Sequence, residues 1–151
     1  MYLAEAIREK DYIQEVLDGL CGRIRELVVS TDEADIKLNK ELAKNKVKEL
    51  ENLYKEWQKY IIIIARAKVI SKIKLNDEDF SIADAENILD SMRDKLSFFE
   101  SLITHLEEFN LDSQKFICMD LEEIHSKVKH LKSDVRTIEN SVDRSLWNIE
   151  V

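Results

Sequence analysis

The sequence predicts an all-α chain: a four-helix antiparallel bundle with heptad seams, plus a short β-hairpin or extended corner near residues 71–82. Three observations lead there. The 151 residues include no proline and two glycines, although loops draw on both and helix interiors reject them. Four stretches repeat apolar residues at alternating steps of four and three, which places a single stripe along a helix. At Lys72-Ile73-Lys74-Leu75 this spacing yields to strict alternation, followed by the turn-forming tetrad Asn76-Asp77-Glu78-Asp79. The length suits one domain, residues 1–151, with a sizeable core.

The first helix is expected over about 3–29, with a seam of Ala6, Lys10, Ile13, Leu17, Leu20, Ile24 and Leu27. Leu3, Ile7, Val16 and Val28 widen that stripe. Gly19 and Gly22 interrupt it, each at a cost of about 1 kcal/mol relative to alanine, and point to a close helix approach or a bend. Ser30-Thr31-Asp32 then offers capping residues.

The central helix starts between Asp32 and Asn39; over 39–70 it is ~48 Å long, enough for the first helix to lie back along it as an antiparallel hairpin. Its seam reads Ala43, Val47, Leu50, Tyr54, Trp57, Ile61, Ile64 and Lys68. Within it, Ile61-Ile62-Ile63-Ile64 has no polar side, so its middle is expected deep in a bundle or an oligomer. Trp57 is expected in the core.

After the hairpin, Ser81 and Asp84 form a capping box with the shorter acid. The third helix, about 82–108, carries Ala85, Leu89, Met92, Leu96, Phe99, Ile103 and Leu106. Phe109 to Lys115 reads as a loop, and Phe116-Ile117-Cys118-Met119 as a short piece, extended beside the hairpin or not. Asp120 with Glu123 signals the N-cap of the fourth helix, about 121–147. Its seam runs Leu121, Ile124, Val128, Leu131, Val135, Ile138, Val142, Ser145 and Ile149. Seams of this length imply left-handed, coiled-coil-like packing, and together with the isoleucine run they lead us to expect homo-oligomers.

A net charge of −8 argues against general nucleic-acid binding. The charge is uneven: Ile36 to Lys74 holds eleven bases against four acids, and Asp77 to Glu123 three bases against fourteen acids. Two oppositely charged helices neutralising each other account for this, as does an anion-binding surface. No apolar run reaches the ~20 residues of a membrane span. The opening Met1-Tyr2-Leu3-Ala4-Glu5 starts directly in an amphipathic pattern rather than a leader. Cys21 and Cys118 lack ligand spacing and suit free thiols in a reducing cytoplasm. A cytoplasmic protein is expected.

Leu3-Ala4-Glu5-Ala6-Ile7 with Gln14, Leu20, Arg23 and Ile24, and the closing Val142-Asp143-Arg144-Ser145-Leu146-Trp147, resemble a septicolysin-like family of small helical bacterial and phage proteins of unknown function. The closing segment is similar to that family's Ile-Gln-x-x-Asn-Trp, with Leu146 in place of the asparagine. At the end of the central helix the family has Ile-Asn-Arg-Thr-Asn, where this chain reads Ile64-Ala65-Arg66-Ala67-Lys68. The resemblance implies this layout of helices and hairpin along most of the chain, and no defined activity.

The chemistry of catalysis has little to stand on, and no enzyme is expected. His125 and His130 lie about 140° apart around a helix, so they do not chelate one ion; His105 suits solvent or a helix-edge hydrogen bond. Glu107-Glu108, Glu122-Glu123 and Asp90-Asp94 do not make inward-facing pairs for Mg²⁺. No metal and no cofactor is expected. One cluster stands out: Arg66, Lys68, Lys72 and Lys74, where the central helix meets the hairpin. Lys68 on a seam either snorkels to water or meets an anion. In the second case the cluster holds a phosphate-bearing small molecule between subunits, with Phe80 or Trp147 as stacking face. Two functions are therefore carried forward. One is a self-associating, non-catalytic interaction protein. The other is a phage-type trap that sequesters an anionic nucleotide-like molecule in an inter-subunit pocket.

Overall fold

A computed structural model describes residues 1–29, 33–110 and 118–151. In order, the elements are α1 (Leu3–Leu27), a 3₁₀ turn (Glu33–Asp35), α2 (Ile36–Ile70), β1 (Lys72–Leu75), β2 (Glu78–Ser81), α3 (Ile82–Asn110) and α4 (Leu121–Leu146). The four helices and the two-stranded antiparallel hairpin are those expected. The proposed Ser30–Asp32 cap and Phe116-Ile117 lie outside the described residues. Cys118 and Met119 are exposed and in no strand. Helix α3 continues through the start of the expected loop, ending at Asn110.

The chain packs as two compact units: Met1–Ala67 with Trp147–Val151, and Lys68–Leu146. In the first, the seam of α1 is buried as its spacing requires, with Ala6, Ile13, Leu17 and Leu20 out of water. Leu27 shares a cleft with Ala43, Arg23 with Glu49, and Met1 with Tyr60. Those pairings run in opposite directions along the two helices, so α1 and α2 form the antiparallel hairpin. The closing residues join them: the Leu3 amide donates to the Ile149 carbonyl at 2.7 Å and the Val151 amide to the Met1 carbonyl at 2.9 Å.

A Cβ at Gly19 or Gly22 would meet nothing within 4 Å, so a close helix approach, one of the two expected reasons for them, is not what they serve, and α1 runs through both as one helix.

In the second unit, α3 and α4 run antiparallel, tied by Arg93–Glu139 at 2.6 Å and Lys132–Glu100 at 2.7 Å. The hairpin covers their ends. Ile73 and Leu75 point inward with Ile82, Ala85 and Leu89 from α3 and Val128, Val135 and Val142 from α4. Asn76 and Asp77 both take positive φ (51° and 68°), the left-handed pair that a two-residue hairpin turn demands. Both predicted caps form. The Asp84 amide donates to Ser81 Oγ at 3.0 Å, and the serine hydroxyl donates back to Asp84 Oδ2 at 2.6 Å. The amides of Glu122 and Glu123 donate to Asp120 Oδ1 at 2.9 and 3.4 Å.

Candidate functional site

Helix α2 departs most from expectation. Its protected side chains are Asn39, Ala43, Lys46, Leu50, Leu53, Trp57, Tyr60, Ile64 and Ala67, again at fours and threes, with Lys68 beside the last. They share Ala43, Leu50, Trp57, Ile64 and Lys68 with the predicted seam, but Val47, Tyr54 and Ile61 between them are exposed. The isoleucine run is therefore not wrapped by its own chain. Ile64 is 8% exposed, whereas Ile61, Ile62 and Ile63 are 37%, 50% and 42% exposed. Val69 and Ile70 are exposed as well. Trp57 is half-buried rather than core; its ring meets Tyr54 edge-on at 6.2 Å, and its buried Nε1 has no acceptor among the described residues.

The basic cluster disperses once built. Lys68 Nζ donates to both carboxylate oxygens of Glu86, at 2.6 and 2.9 Å, in a half-buried setting. A seam lysine in the last turn, where the helix dipole favours a cation, thus finds its anion within the chain. Lys72 and Lys74 stand on the outer face of β1, opposite Ser81 and Asp79. Phe80 faces Ile73 across the strands and so shares the inner face. Strand alternation puts it on the other side of the hairpin from Lys72 and Lys74, where it cannot stack on a ligand they hold. Trp147 follows the end of α4, with the Arg8 guanidinium 4.6 Å above its ring, so one aromatic face is already covered. Arg66 is exposed and, among the described residues, forms no ion pair.

Sequence reasoning missed two features. A groove of about 530 Å³ between α3 and α4 is lined by Glu86, Asp90, Glu139 and Asp143, with Arg93 paired to Asp90 and Glu139. The hydrogen bond that Arg93 donates to Glu139, with the one it donates to Asp90 at 3.1 Å adding to it, raises the Arg93 pKa above its already high ordinary value. Those acids form two pairs at a step of four, Glu86 with Asp90 on α3 and Glu139 with Asp143 on α4, a spacing legible in the sequence. The second is a cleft under the hairpin that contains Phe80. Among the described residues no three His, Cys, Asp or Glu side chains gather as a metal-ligand set, and no helix is long and apolar enough to cross a membrane.

What the fold defines is a class: an all-α chain of four helices with a two-stranded hairpin between the second and third. A crystal structure of a functionally unknown conserved protein from Corynebacterium diphtheriae is similar to it, with a TM-score of 0.82 at 20% identity, over 100% of this chain and 98% of that one. At that identity the likeness shows the fold alone. No protein-family model and no curated protein matches the chain.

Proposed function

We propose that the protein acts by self-association, as a non-catalytic helical interaction protein whose contact surface is the uncovered side of α2. The observation that carries this reading is the exposure of Ile61, Ile62 and Ile63 beside Tyr54, while the seams of α1, α3 and α4 stay out of water. Contiguous exposed apolar surface of this kind is what association covers, and a second α2 presents the same rod-like stripe. Light scattering on the 17.7 kDa chain tests it. The expected mass is a dimer or larger, reduced to a monomer of unchanged helicity by Ile61→Lys with Ile62→Lys. A native chain that stays monomeric up to ~1 mM, the weakest useful dissociation constant, would falsify the reading.

A second reading, a trap for a phosphate-bearing small molecule, is favoured by Arg66. One helical turn before it stand Ile62 and Ile63, and one turn after it Val69 and Ile70, all exposed. From Trp57 to Asn76 the chain has five cations and no acid. Copies that meet through this stretch bring a guanidinium into an apolar contact and no carboxylate from the same stretch to match it. A bound anion would match it. A nucleotide panel is expected to raise the melting temperature of the native chain but not of Arg66→Ala. A panel without effect, on a chain that still self-associates, removes the trap and leaves the interaction protein.

A further inference from the structure

The cleft under the hairpin is built from four elements of one unit and has a volume of about 420 Å³, the size of a small-ligand site. Its floor is apolar: Leu75 from β1, Phe80 from β2, Ile88 and Met92 one turn apart on α3, and Ile138 from α4. Cross-strand pairing fixes Phe80 opposite Ile73, and the Asn76-Asp77 turn fixes the strands, so the aromatic floor is set before any ligand arrives. The rim carries two carboxylates, Glu78 and Asp134, from different elements, and the neutral amide side chain of Asn76 from the turn. Among the described residues neither forms an ion pair, and no lysine or arginine lines the cleft. Thr137 adds an oxygen whose hydroxyl proton is already given to the Ser133 carbonyl at 2.9 Å, so the oxygen is left to accept.

An acceptor-rich rim over an aromatic and aliphatic floor selects against two kinds of occupant. An anion meets two negative charges, and a neutral apolar body leaves both carboxylates partly desolvated without a partner. A cation with an apolar body satisfies both: its charge lies between the carboxylates and the Phe80 ring, and its body displaces water from the floor. We infer that this cleft binds a small organic cation, a primary amine carried on an aromatic or branched aliphatic body. The inference does not depend on how copies of the chain associate.

The test is a methyl-NMR titration of the full chain with 2-phenylethylamine, its neutral analogue 2-phenylethanol and the anion 3-phenylpropionate. The amine is expected to shift the Ile88, Met92 and Ile138 methyls with a dissociation constant of ~0.1–1 mM, and the two analogues to bind at least ~10-fold more weakly. Glu78→Gln with Asp134→Asn, both at exposed positions, should leave the melting temperature and helicity in place and abolish the amine's advantage over the alcohol. Phe80→Leu should weaken the amine several-fold. The inference is overturned if the amine shifts only the Ile61–Ile63 methyls, if alcohol and amine bind equally, or if the doubly neutralised variant binds the amine as the native chain does.

Discussion

Removing the ammonium of Lys68 leaves Glu86 half-buried beside the last turn of α2, and among the described residues no other cation forms an ion pair with it. The bidentate geometry is good, but both side chains keep partial access to water, so the pair is expected to contribute about 0.5–1 kcal/mol. A double-mutant cycle with Lys68→Ala and Glu86→Ala should return a coupling of about that size, shrinking in ~1 M salt. A coupling indistinguishable from zero in low salt would mean the pair is incidental. Arg93 behaves differently with pH. Its raised pKa means that the stabilising charge is complete below the unfolded value and is lost only above it. The guanidinium therefore contributes no slope at neutral or mildly alkaline pH. The sequence made Lys68 conspicuous because a charge fell on an apolar register. It did not reveal the partner, because Glu86 belongs to the next helix and only the corner at the hairpin brings the two together.

At the scale of the element, spacing predicted three seams that are indeed protected and one that is displaced. In α1, α3 and α4 the polar residues between apolar positions leave a single stripe, so period and direction are both determined. In α2 the run Ile61–Ile64 is apolar all round, and hydrophobicity alone does not say which edge meets α1. The partner decides: Lys46, Leu53 and Tyr60 turn inward, and Val47, Tyr54 and Ile61 turn out. The hairpin was legible from its alternation, but its turn is Asn76-Asp77 rather than the whole tetrad, and Phe80 pairs with Ile73 on the face away from the lysines it was expected to serve. No neighbour presses on the two glycines of α1, and composition cannot show empty space beside a helix. That space carries a prediction. Gly19→Ala and Gly22→Ala should each stabilise the chain by about 0.5–1 kcal/mol in urea unfolding, through helix propensity alone. Destabilisation by either alanine would reveal a neighbour that approaches only when copies associate.

For the whole molecule, the uncovered side of α2 links stability to concentration. If copies meet there, the melting temperature of the native chain rises with protein concentration, and that of the Ile61→Lys, Ile62→Lys variant does not. A melting temperature independent of dilution in both would separate α2 from any role in association. The candidate anion site was legible as a set of residues and not as a place. Arg66, Lys68, Lys72 and Lys74 are close in sequence, but helical and strand periods send them in different directions, and Lys68 is matched by Glu86. The cleft under the hairpin escaped the sequence for the converse reason. Leu75, Phe80, Met92 and Ile138 belong to four separate periods and become neighbours only when those elements fold onto one another.

The stitch between Leu3 and Ile149 has a consequence in time. The unit Lys68–Leu146 is a continuous insert within a unit made of both ends of the chain. Joining Leu3 to Ile149 therefore closes a loop that contains the whole of the second unit, so this contact of high sequence separation is expected to form after the local helices and the hairpin have formed.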